Sequence, residues 1–154
     1  MEKDAFLLSI FRNKTSKFGW QIFPEFAVTQ GQKSLASLNL LKNYFKCGNI
    51  FVNRRKDNHK ENIYRYCVRS IKDLHEVIIP FFKTHKLHTA KSEDLKLFIE
   101  AIELIEDREH IAIDGLKKIA HITSRMNRKK SSSFLESSET IRQTSRRNAS
   151  LKKI

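Results

Sequence analysis

A chain of 154 residues is one domain's worth with room for a short tail, and 40% hydrophobic residues with 11 Phe suffice for a core. Lys+Arg outnumber Asp+Glu by 30 to 17, a net charge of +13; such an excess repels itself unless an anionic partner neutralises it, nucleic acid first and an anionic membrane surface second. No apolar run approaches the roughly 20 residues that cross a bilayer, so a membrane-spanning role is excluded.

Residues 5–13 and 20–30, rich in Phe, Ile, Val and Trp, predict two strands joined by the polar NKTSKFG, with Gly19 for the turn. Leu35, Leu38, Leu41 and Phe45 recur at helical spacing across 33–45, and Gly48 ends that helix. A second strand pair follows in NIFVNRR and ENIYRYCVRS, linked by the charged, turn-forming KDNHK. From Ile71 the period is helical again through Leu74, Ile78 and Phe81 or Phe82, and Pro80 is expected to close or kink this helix. KSEDLKLFIEAIELIEDREH opens on a Ser-Glu-Asp suited to a helix N-terminus, and a last helix lies around GLKKIAHITSRMN. The order β-β-α-β-β-α with two further helices predicts an α+β domain over residues 1–127 with a four-stranded antiparallel sheet. Residues 128–154 carry eight Lys/Arg against two Glu, with seven Ser, and read as a weakly ordered basic tail, either a solubilising end or an extra contact to phosphates.

Cys47 and Cys67 fit no metal-ligand spacing and read as ordinary half-buried thiols of a reduced compartment. His85 and His88 stand as an i,i+3 pair without a further ligand motif, which argues against a metal site there.

Two-residue alternation divides each strand into an apolar and a mixed side. Phe6, Leu8 and Ile10 share the first side with Ile22, Phe26, Val28, Ile50, Val52, Tyr64, Tyr66 and Val68. The mixed side gathers Leu7, Ser9, Phe11 and Asn13, then Gln21, Phe23, Glu25 and Ala27, then Phe51, Asn53 and Arg55, and finally Ile63, Arg65, Cys67 and Arg69. A merely solvated face would be dominated by Lys, Glu and Thr. Amides, hydroxyls and arginines beside exposed aromatics are the groups that meet base edges and phosphates, and the net charge points the same way.

The succession LLSIFRNKTSKFGWQIFPEFAVTQ, GNIFVNRRKDNHKENIYRYCVRSIKDLHEVIIPFF and TAKSEDLKLFIEAIELIEDREHIAIDGLKKI resembles the LAGLIDADG homing endonucleases, in particular the single-motif type encoded in organellar group I introns. The resemblance covers nearly all of residues 6–127. It implies a saddle-shaped sheet lying in the major groove of double-stranded DNA and a site-specific endonuclease that cuts both strands as a homodimer. Ser9, Asn13, Gln21, Asn53, Arg55, Arg65 and Arg69 are the positions that match the family's DNA-contacting sheet residues, on the side that alternation selects independently. Apolar contact with thymine methyls suits some of the neighbours. The family's chemistry is Mg²⁺-assisted phosphodiester hydrolysis. Gln30, closing AVTQ, matches its glutamine in the water network, and Lys91 in TAKSEDL its phosphate-supporting lysine.

The family's motif helix, which dimerises and ends in the metal-binding acid, should precede the first strand, where this sequence has MEKDAF. Lys3 falls on the acid's position with Asp4 one residue beyond. Asp4 is therefore the metal candidate, and the acidic motif is absent or shifted. Loss of that helix predicts partial exposure of Phe6, Leu8 and Ile10, and with it aggregation. The alternative function is a non-catalytic DNA- or RNA-binding remnant, or a maturase that assists splicing of its intron RNA. The resemblance implies an organelle-encoded protein without a transit peptide, chloroplast ahead of mitochondrion.

Overall fold

A computed structural model describes residues 3–54, 61–88 and 90–126. Two antiparallel hairpins, β1 (Lys3–Arg12) with β2 (Trp20–Gly31) and β3 (Asn49–Asn53) with β4 (Ile63–Val68), join into one sheet of order β1-β2-β4-β3. The first hairpin runs in register from Lys3 opposite Thr29 to Arg12 opposite Trp20. Its turn is closed by the Asn13 amide donating to the Gly19 carbonyl at 2.9 Å, while the Asn13 side-chain oxygen accepts from the Thr15 amide and hydroxyl. Gly19 takes φ +74°, a conformation costly for other residues. The hairpins meet along β2 and β4, from Phe26 opposite Val68 to Gly31 opposite Ile63.

Strand limits shift slightly from expectation. β1 begins at Lys3 rather than residue 5 and ends at Arg12, because Asn13 turns its side chain back onto Thr15. β3 ends at Asn53; Arg55 lies outside the described residues.

Helices cover one face of the sheet: α1 (Leu35–Phe45), a continuous helical run over 71–84, α4 (Ala90–Glu106) and α5 (Ile113–Met126). The 71–84 run is α2 (Ile71–Asp73), a wider π turn (Leu74–Ile78) and α3 (Ile79–Thr84), and Ser70 caps its start by accepting from the Asp73 amide. Pro80 therefore does not close this helix. In the π turn the Ile79 amide reaches back to the Leu74 carbonyl, and this wider bonding just ahead of Pro80 makes room for a ring that lacks an N–H and crowds the preceding turn. The helix over 91–110, by contrast, is shorter than expected: it stops at Glu106, and Arg108 adopts a left-handed φ of 57° before a 3₁₀ turn at Glu109–Ile111.

The core lies between sheet and helices, with Leu38, Tyr66, Val68, Leu74, Ile78, Phe98, Ile102 and Ile119 fully buried. Here one expectation fails: Phe6, Leu8 and Ile10 are buried, not partly exposed. The reason is aromatic packing from α3 and α4. The Phe6 ring sits 5.3 Å from each of Phe26, Phe82 and Phe98, within the range of favourable offset and edge contacts. Among the described residues the most exposed large apolar groups are instead on α1, where Leu40 is 70% and Tyr44 67% exposed.

Candidate nucleic-acid interface

The other sheet face carries no helix among the described residues, and on it the predicted contact residues come together. Ser9 and Phe11 on β1, Gln21 on β2, Phe51 and Asn53 on β3 and Arg69 just beyond β4 are exposed. Asn13, Phe23 and Arg65 are half-buried. The Asn13 side-chain amide donates to the Gln21 side-chain oxygen at 2.6 Å, so these two predicted readers are one unit at the hairpin end.

The centre of the face differs from its sequence pattern. Ala27 and Cys67 are buried, being short side chains paired across the two central strands, with Cys67 against Glu25. Burial pushes the Cys67 thiol up to about 11. Glu25, placed on the mixed side by alternation, is only 4% exposed. A buried carboxylate is tolerated only when paired, and this one is paired twice. Arg69 Nε donates to Oε2 at 2.9 Å, and Arg65 Nη2 forms an ion pair with Oε1. The Oε1 contact is ionic rather than an aligned hydrogen bond, and Arg65 Nε is buried without a hydrogen-bond partner. The Arg69 guanidinium lies 5.3 Å from the Phe23 ring and 4.8 Å from the Phe51 ring, a double cation–π contact. Phe11 extends the aromatic row, its ring 6.0 Å from Phe23. Alternation placed these residues on one face; which carboxylate holds which arginine depends on strand pairing, with sequence separations of 40 and 44 residues.

Gln30 and Lys91 do not belong to this face. Gln30 pairs with Tyr64 near the end of β2 and shares the helix side with Phe26 and Val28. There it borders an apolar hollow of about 400 Å³ lined also by Leu38, Phe45, Phe81 and Phe82. Lys91 is the second residue of α4 and is half-buried. Asp4 has its backbone in β1, opposite Val28. Among the described residues no three His, Cys, Asp or Glu side chains gather as a metal site. Mg²⁺ commonly keeps several waters and takes only one or two protein carboxylates beside substrate phosphates, in near-octahedral array. His85 stacks on Phe81, with its Nδ1 3.0 Å from the Phe81 carbonyl oxygen.

Residues 5–102 match the family model described as LAGLIDADG endonuclease. The chain belongs to the LAGLIDADG endonuclease family. It is 33% identical over 124 residues to "Probable intron-encoded endonuclease 3" of Neurospora crassa, covering 80% of this chain and 22% of that protein. It is 30% identical over 138 residues to "Probable intron-encoded endonuclease 2" of the same fungus, covering 89% of this chain and 29% of that protein. The chain thus spans less than a third of the length of these curated relatives. The fold is that of LAGLIDADG homing endonucleases. The crystal structure of the homing endonuclease I-TnaI superposes with a TM-score of 0.70 at 32% identity, over 81% of this chain and 80% of that one. I-SmaMI, solved bound to its uncleaved DNA target with calcium ions, gives 0.74 at 31% identity over 82% and 41%.

Proposed function

We propose that this LAGLIDADG chain is the DNA-reading unit of an intron-encoded, site-specific double-strand endonuclease, and that it lays its open sheet face in the major groove. The observation that carries the reading is the asymmetry of the sheet. One face is sealed by helices, and the other presents Ser9, Asn13, Gln21, Asn53, Arg65 and Arg69 with exposed aromatics. Hydroxyls, amides and arginines on a single surface form a base-edge reading set, and the charge of +13 supplies attraction to phosphates. I-SmaMI, with the same fold, is a DNA-bound structure, which supports this direction over binding of intron RNA.

Two units of the fold are proposed to act on one target, as a homodimer if the full-length chain carries the motif helix. The chain covers 80% of I-TnaI but only 41% of I-SmaMI, which leaves the longer protein room for a second unit of the fold. The expected preference for a chloroplast finds no support: the relatives are fungal, one named for an intron of ND4 in Podospora anserina, and fungi hold no plastid. These relatives support a mitochondrial host intron. Mg²⁺ dependence enters from the family. Asp4 is the carboxylate this chain would contribute, with Lys91 near the phosphate and Gln30 in the water network.

The test is selection of bound sequences from a random duplex library by the full chain, with single-stranded and duplex RNA as competitors. A shared duplex motif that outcompetes RNA is the expected result. Equal retention of RNA, or no motif, would overturn the reading.

A further inference from the structure

Glu25 has no reading role of its own on the groove face, since it is 4% exposed and both of its oxygens face arginines. Its effect is on those arginines. An unconstrained surface arginine samples many rotamers and must be immobilised when it binds, at a cost in entropy. Arg69 has that freedom removed beforehand. Its Nε is tied to Glu25 Oε2 at 2.9 Å, and its guanidinium carbon lies over both the Phe23 and the Phe51 ring, 5.3 and 4.8 Å from their centroids. What this leaves for a ligand is the terminal nitrogen pair of a side chain still 44% exposed. Arg65 contrasts with it, since Nη2 is used on Oε1 and Nε is buried. Two guanidiniums against one carboxylate leave a single net positive charge at this spot, weaker as a phosphate anchor than two free arginines. A fixed pair of parallel donors suits the O6 and N7 acceptors of guanine.

We propose that Glu25 is a positioning residue for target recognition, holding Arg69 between Phe23 and Phe51 so that its terminal nitrogens read one guanine in the major groove. This rests on the DNA-binding function proposed above.

The test uses the full chain with Glu25→Gln, which keeps shape and removes the charge, and Arg69→Lys, which keeps the charge and removes the paired donors. Each variant is checked for a cooperative melt and passed through the random-duplex selection. The wild type is expected to select a guanine at one position that Arg69→Lys no longer prefers, with discrimination falling roughly 10- to 100-fold there, the worth of a bidentate arginine–guanine pair. Glu25→Gln should flatten that same position while leaving the others, and should steepen the salt dependence because a compensating negative charge is gone. Should Glu25→Gln not fold, Arg69→Lys and Phe51→Ala carry the test, both expected to relax that position alone. A wild type that selects a motif unchanged by all these variants overturns the inference while the DNA-binding function stands. A wild type that selects nothing overturns both.

Discussion

Replacing Gly48 by Ala tests how the second hairpin is seated, with Gly19→Ala as its internal control. Both glycines sit at positive φ, +80° and +74°, so each alanine takes on the left-handed backbone cost of about 1–2 kcal/mol. Their surroundings differ completely. A Cβ at Gly48 would lie 2.7 Å from the Cys67 carbonyl oxygen, 2.8 Å from the Tyr66 ring and 2.9 Å from Val68 Cγ2, whereas nothing lies within 4 Å of one at Gly19. Tyr66 and Val68 are fully buried and the third neighbour is strand backbone, so little can move aside. Overpacking of this kind adds about 1–3 kcal/mol, bringing Gly48→Ala to about 2–5 kcal/mol against about 1–2 kcal/mol for Gly19→Ala. Urea unfolding followed by circular dichroism resolves the two, because at about 2 kcal/mol per molar urea the midpoint falls by about 1–2.5 M for Gly48→Ala. The relieved clash would push β3 away from β4 and carry Phe51 off Arg69, so the surviving folded fraction should also lose discrimination in DNA binding. Equal midpoints for the two variants would refute the packing part of this reasoning.

Phe98→Ala removes a fully buried ring tilted against Phe6 and should cost about 3–5 kcal/mol in a thermal or urea melt; a loss under 1 kcal/mol would show that α4 is not packed on β1 as described. Burial holds the His110 imidazole below its ordinary value, and its Nδ1 is buried without a hydrogen-bond partner. The unfolded chain takes up this proton near pH 6.5 while the folded chain resists. His110's contribution is therefore full above about pH 6.5, declines as pH falls through the window below, and levels off once the folded ring protonates. His110→Asn should flatten stability between about pH 7 and 5, and an unchanged slope would remove His110 from the explanation. Cys67, buried with its thiol pushed up to about 11, should react with a thiol-directed disulfide reagent at pH 8 only after unfolding; rapid modification of Cys67 in the native protein would contradict the closed centre of the sheet.

Much of the fold was legible because it rests on periodicity. The alternation of Phe6, Leu8 and Ile10 with Ser9 and Phe11 separated core from groove face, and the spacing of Leu35, Leu38 and Phe45 marked the first helix. What escaped depends on contacts between distant segments. Pro80 reads as the end or a kink of its helix, and whether the helix breaks there or widens into a π turn and continues is not decided by that residue alone. Glu25 reads as one more residue of the mixed side, because its two arginines lie on and just beyond another strand whose register is not written in either segment. The burial of Phe6 was missed for the same reason: Phe82 and Phe98, which cover it, come from helices whose docking positions periodicity does not give. Gln30 and Lys91 came from the family resemblance rather than from pattern, and the structure puts Gln30 on the helix side, bordering the apolar hollow.

The most direct test of the central claim is chemical protection of the selected duplex when the full chain is bound. Dimethyl sulphate methylates guanine N7 in the major groove and adenine N3 in the minor groove. If the open sheet face reads the major groove, guanine N7 positions within the site become protected while adenine N3 positions keep their reactivity. Protection confined to adenine N3, or a bound duplex with every guanine N7 still reactive, would contradict it.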